Sequence, residues 1–393
     1  MPNKEIINFN SGLLSPQIDD RTDTDKYSSG CRVLENMFPE MYGCVEKRTG
    51  TQFIQSGNGS GCYYLVPPLD PTYINISNAT QLAKIGVDVS YPVNGKYQLT
   101  NDIDCSGITN WTPLCNPTFP FSGTFNGRYY TIKNVTMSNV SDAGLFRSMS
   151  VATIENLTIN NINFNNCFIL GMLCNTDSGN TTLTNVHVNG SVSSNQSVLQ
   201  VGGLFYTTNS NLSLCSCNVS VTYSNGDLFF GGLCYSSGGN ITNCFSRGSV
   251  TYTGNLGDGM CYTGGLVGTQ LASGKIYTNC YSSVSINGKI FSAVGKVAGF
   301  VGNDTSISDS YVSNYWDGDI QNAKDGSGNT VILDDTGTHG DVVGINKSHT
   351  SDMYKQSTYV GWDFQNIWNI HEGQDYPIFK WIDKVQTCTP IYA

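Results

Sequence analysis

The chain has 393 residues, 13% of them charged, with a formal net charge of -10 and 43 glycines. A chain this acidic, with no run of Lys and Arg, is a poor match for the phosphates of a nucleic acid. No apolar stretch approaches the length of a membrane-spanning helix, and solubility must come from neutral Asn, Ser and Thr.

Residues 1–61 carry charges but no repeat. Met1 to Asn10 lack the apolar run of a secretion signal, so the sequence reads as made and assembled in a cytoplasm. The segment is too short and polar to hold its own core, which predicts that it orders by docking on another protein. Phe9 and Tyr27 are candidate apolar anchors. Arg21, Asp23 and Arg48 can make charge-assisted hydrogen bonds that fix register. Ser56 to Gly61 is a flexible linker by composition.

Residues 62–134 read as opening coils, and residues 135–313 as stacked repeats. A short signature recurs there. It runs Ala143-Gly144-Leu145-Phe146, Leu170-Gly171-Met172-Leu173, Gly202-Gly203-Leu204-Phe205, Gly231-Gly232-Leu233-Cys234, Gly264-Gly265-Leu266-Val267 and Ala298-Gly299-Phe300-Val301. A second signature follows each, as in Ile154-Glu155-Asn156-Leu157 and Ile241-Thr242-Asn243-Cys244, with apolar and polar residues alternating as in a strand. A period near 30 with short strands and glycine corners predicts an all-β chain, a parallel β-helix whose coils bury their apolar faces on one another.

Stacked coils explain the 14 cysteines. Cys234 shares its slot with Phe205 and Val267, and the second signature aligns Cys217, Cys244 and Cys280. Ile276 falls where Ile241 stands. A slot that also takes Phe or Val is a core slot, so free thiols are expected rather than disulfides. Between Val135 and Phe300 five acidic residues balance five basic ones. The outside of such a rod is Asn, Ser, Thr and Tyr, a surface suited to sugars or to an inert shaft.

Residues 314–393 read as a closing cap. Two carboxylates over a groove would be needed for glycoside hydrolysis. Asp102 with Asp104, and Asp317 with Asp319, have the spacing of one strand face, but read as structural. Asp325 to Asp341 reads as a surface loop without the ligand spacing of a calcium site. The four histidines show no zinc spacing with any cysteine. The sequence therefore reads as having no catalytic set, no metal and no cofactor, and as not being an enzyme.

Two resemblances add to this reading. The Gly-Gly-Leu-Val units, each followed by an Ile-x-Asn-Cys-Tyr segment, with Asn101-Asp102-Ile103-Asp104 before them and Trp362-Asp363-Phe364 after them, resemble the GLUG repeats of bacterial surface and secreted proteins. That likeness covers about residues 73–382 and implies a right-handed parallel β-helix with adhesion-type roles. The N-terminal series Phe9, Gly12, Ser15-Pro16, Arg21, Asp23, Tyr27, Gly30, Asn36, Arg48 and Gly50 resembles the first segment of short-tailed bacteriophage tail nozzle proteins. It implies an extended, irregular arm docking on portal, adaptor or nozzle ring proteins of a virion, in several copies. The combined expectation is a phage tail or head-to-tail appendage whose β-helix can contact host surface glycans. A glycan-degrading tailspike and a bacterial surface adhesin are the alternatives.

Overall fold

The computed structural model describes residues 69–382 except 255–259, 290–295, 307 and 326, and, outside that range, the backbone of six strands. The chain divides into two compact units, one of residues 72–362 and 370–376, the other of residues 1–71, 363–369 and 377–393.

The larger unit is a parallel β-solenoid of about eight turns. Each repeat coil has three faces. The long face carries Thr153–Asn165, Thr182–Ser194, Ser216–Tyr223, Phe245–Tyr252 and Tyr281–Gly288, paired in parallel. The second face stacks six short strands, Asp142–Ala143 to Lys296–Ala298. The third stacks six more, Phe146–Met149 to Val301–Asp304. Inward positions form continuous columns. Phe146, Cys174, Phe205, Cys234, Val267 and Val301 pair in register and are fully buried. Residues of different shape share one slot because each coil contributes to a common apolar interior, which rewards volume more than identity.

Glycine marks the elbow between the second and third faces because the coils approach closely there. A Cβ on Gly203, Gly232 or Gly265 would collide with the carbonyl oxygen of Gly232, Gly265 or Gly299 in the next coil. None of these three has a positive φ, so close approach, and not left-handed backbone, explains the signature.

A recurring left-handed position lies along the long face. Asn156, Asn185, Asn243 and Asn279 have φ of 53, 56, 49 and 53°. Asn tolerates this conformation better than other side chains. The Asn185 amide donates to Asn156 Oδ1 at 3.0 Å, tying the first two of these coils together. In the third coil Leu214 holds this position, with φ 55°.

That leucine corrects the cysteine alignment. Ser216 pairs with Phe245, and Phe245 with Tyr281. The preceding residues Cys215, Cys244 and Cys280 therefore share the column, below Leu157 and Val186. Cys217 is buried one column away, opposite Ser246 and Ser282. Likewise Tyr277, not Ile276, pairs with Ile241, and Ile276 is exposed. In the coil at Gly171 the strands pair Gly171 with Gly202 and Cys174 with Phe205, so Gly171 stands at the first glycine of the signature and Cys174, not Leu173, fills the Phe205 slot.

The C-terminal end of the rod is closed by packing. Asn314–Asp317 pairs with Ile345–Ser348. Asn314, fully buried, accepts from the Cys280 amide at 3.0 Å and donates to the Tyr277 carbonyl at 2.9 Å, which ends the cysteine column on a satisfied polar group. Trp316 covers the neighbouring column, and its Nε1 donates to Asp335 Oδ1 at 2.6 Å. Segment 370–376 then returns to the long face. There Arg247 lies against the rings of Phe245, Tyr281 and Tyr376 at 5.3, 5.8 and 5.3 Å, and donates to Tyr281 Oη and the Asp375 carboxylate.

In the smaller unit Glu46–Arg48, Thr51–Gln55 and Cys62–Val66 form an antiparallel run, and Thr389–Tyr392 pairs in parallel with Cys62–Val66. Gln55 lies opposite Cys62, so the strands on either side of the Gly/Ser run are direct neighbours. Ile7–Asn10 and Leu13–Pro16 form a hairpin.

Candidate functional site

The carboxylates singled out by spacing are committed to local structure. Asp102 accepts from the Thr131 amide at 2.9 Å. Asp104 accepts from Asn134 Nδ2 and the Ser106 amide, both at 2.9 Å, and the Asn134 bond is the main cause that holds its carboxyl down to about 2. Asp317 is fully buried and receives the Asp319 amide, the Thr350 hydroxyl and the Tyr376 hydroxyl. Asp319 receives His349 Nδ1 at 2.8 Å, the main cause of its lowered pKa, and the Thr350 amide at 3.0 Å. Asp325 holds Asn329 in its own loop. Among the described residues no group of three or more His, Cys, Asp and Glu is placed to hold a metal ion.

The nucleophile candidates are shielded. All ten described cysteines are free and buried. Burial pushes Cys115, Cys234 and Cys280 up to about 12, where the reactive thiolate is scarce. His187 Nδ1 lies 2.7 Å from Ser216 Oγ, a pair that spacing alone did not single out. Burial depresses this imidazole to about 3, so it stays neutral, and both side chains are closed to solvent.

The elbow between the second and third faces gathers outward side chains from several coils. Outward residues of the two faces meet across it. In the first coil Arg147 donates to Asp142 at 2.6 Å. In the second, the Asn175 amide donates to the Ile169 carbonyl at 2.9 Å. In the fourth, Phe229 meets Tyr235 edge to face at 5.7 Å. Along the rod, Tyr206 and Tyr235 stack at 5.4 Å with planes 9° apart, and Phe229 meets Tyr262 at 5.7 Å. Gly268 stands in the place of the next tyrosine, and a Cβ there would lie 2.6 Å from the Tyr235 ring. The half-buried Tyr206 and Tyr235 hydroxyls have raised pKa values through desolvation, so they remain neutral donors.

At the N-terminal mouth of this elbow lies a cavity of about 340 Å³. It is lined by Val87, Thr112, Pro113, Asn116, Ser141 and the Asp142–Arg147 pair, among others.

Of the predicted docking residues, Phe9 lies in the strand Ile7–Asn10, Ser15 and Pro16 in Leu13–Pro16, and Arg48 in Glu46–Arg48. Gly12, Arg21, Asp23, Tyr27, Gly30, Asn36 and Gly50 lie outside the described residues.

No protein-family model matches the chain. By sequence it is 33% identical over 132 residues to halomucin of Haloquadratum walsbyi, spanning 30% of this chain and 1% of that one. It is 27% identical over 143 residues to an immunoglobulin A1 protease of Streptococcus sanguinis, spanning 35% of this chain and 7% of the relative. Among solved structures, an IgA1 protease overlays with a TM-score of 0.47 and 20% identity, over 77% of this chain and 24% of that one. A Bacteroides ovatus protein described as an immunoglobulin A1 protease overlays with a TM-score of 0.48 and 19% identity, over 80% and 94% of the two chains. The expectation that the chain is not an enzyme is corrected by the sequence comparison, since a protein similar to it over 143 residues carries the name of an enzyme. The chain covers only 1% and 7% of its two curated relatives.

Proposed function

We propose that the chain is the projecting β-solenoid body of a bacteriophage tail or head-to-tail appendage, held in the virion by its N-terminal segment. The observation that carries this reading is the ordered series from Phe9 to Gly50, which resembles the docking segment of tail nozzle proteins and precedes the repeats. The partners would be portal, adaptor or nozzle ring proteins, and the ring symmetry of a tail implies several copies. Reversing charge in the full-length chain with Arg21→Glu and Arg48→Glu should reduce its copy number in purified particles at least tenfold, with the solenoid still folded. Incorporation at the wild-type copy number would refute the docking role.

A second reading is favoured by the sequence matches to segments of much longer proteins. In it the solenoid is a module of a surface or secreted protein, with the proteolytic activity for which one relative is named. Incubation of the full chain with immunoglobulin A1 separates the readings: new cleavage fragments support the second, and intact heavy chain supports the first.

A further inference from the structure

Asp142 and Arg147 line a cavity of about 340 Å³ in the first repeat coil. The backbone around it is fixed. The Arg147 amide donates to the Leu114 carbonyl at 2.8 Å, which sets the base of the guanidinium against the Pro113–Cys115 wall. Gly86, with φ 77°, brings its loop so close to that wall that a Cβ there would lie 2.8 Å from Cys115 Sγ. On the other side the Ile169 amide donates to the Ser141 carbonyl at 2.9 Å, next to Asp142. The charges of the pair are only partly used. Arg147 donates to Asp142 Oδ2 at 2.6 Å, and neither side chain has another hydrogen-bond partner among the described residues. Most of the guanidinium N–H groups, and Asp142 Oδ1, are therefore left for a ligand. A ligand with a carboxylate alone would draw Arg147 away and leave Asp142 as an unpaired like charge beside it. A ligand with an ammonium alone would strand Arg147 in the same way. A zwitterion satisfies both, with its carboxylate on the guanidinium fork and its ammonium on Asp142. The two side chains are 44% and 28% exposed, so parting them costs little. Val87, Pro113 and Val140 add apolar lining, and Val87 is 81% exposed, without cover from the chain itself. The volume is at the low end of the roughly 300–1,000 Å³ of small-molecule sites, which suits one small molecule and not a stretch of polymer.

From this geometry we infer that the cavity binds a small zwitterion, an α-amino acid with an apolar side chain, its carboxylate on Arg147, its ammonium on Asp142 and its side chain against Val87, Pro113 and Val140. The site stands independently of the appendage reading, and its test needs no virion. The full-length chain is titrated by calorimetry with leucine, and with isocaproate and isoamylamine, which lack the ammonium and the carboxylate of leucine respectively. Leucine should bind with a dissociation constant of about 1 mM or tighter. Each single-charge probe should bind about tenfold more weakly, the loss expected when one charged hydrogen-bonding partner is missing. Arg147→Ala and Asp142→Asn should each weaken leucine by about the same tenfold factor. Arg147→Lys should recover only part of the binding, because an ammonium cannot present a planar fork to a carboxylate. Val87→Ser should weaken leucine several-fold by removing apolar contact, and Lys355→Ala, outside the cavity, should bind as wild type. No binding of leucine, a single-charge probe bound as tightly as leucine, or unchanged leucine binding in Arg147→Ala with native circular dichroism would overturn the site.

Discussion

Arg247→Ala should free segment 370–376 from the long face while the coils stay folded. The guanidinium touches three rings and hydrogen-bonds to Tyr281 Oη, and Tyr281 is fully buried. Asp375 is half-exposed, so the ion pair itself contributes little. Ring contacts and the stranded tyrosine hydroxyl dominate, for a local loss of about 2–3 kcal/mol. In hydrogen exchange this is a ~30- to ~150-fold faster opening. The reporter is the Gly373 amide, which donates to the Tyr354 carbonyl at 2.9 Å. Amides of Phe245–Tyr252 should keep their protection. Arg247→Lys should restore only part of it, because an ammonium cannot present a planar face to several rings. Unchanged exchange at Gly373 in Arg247→Ala would show that the segment is held by other contacts.

Cys244→Asp should be the more damaging change. Cys244 is fully buried between Cys215 and Cys280, and desolvation raises its thiol well above the ordinary range. A carboxylate there has no cationic partner, and burying it uncompensated costs about 3–5 kcal/mol or more. Poor soluble yield or a much lower urea midpoint is the expected result. Cys244→Val should stay within about 1 kcal/mol of wild type, because Val186 already fills this slot two coils earlier. Equal midpoints for the Asp and Val variants would mean that the slot faces solvent.

From the third repeat coil onward the glycine signature was a reliable guide to register on two faces. Gly203, Gly232 and Gly265 sit where any side chain would strike the next coil, so their spacing follows the coil length directly. The asparagine of the second signature was legible for a similar reason, since few residues accept its positive φ. Legibility failed where that rule was broken. Leu214 occupies the asparagine's backbone position, and without the marker Cys217 was aligned in place of Cys215, an offset of two that preserves the inward-outward alternation.

The elbow rings could have been found. Tyr206 and Tyr235 stand at the same offset after Gly-Gly-Leu, and Phe229 and Tyr262 stand two residues before the first glycine of that signature. The Arg247 clamp could not. Its partners Asp375 and Tyr376 are more than 120 residues away in sequence, and no repeat relates them. The cavity at Asp142–Arg147 was hidden for the same reason, because opening coils and first repeat each supply part of its wall.

Time-resolved thiol labelling of the native chain, read by peptide mass spectrometry, tests the stacked-coil architecture most directly. Cys215, Cys244 and Cys280 should remain unlabelled over hours in native buffer and react together on unfolding in urea. Rapid native labelling of any of the three would contradict the inward column, and with it the register that forms the elbow and the rod.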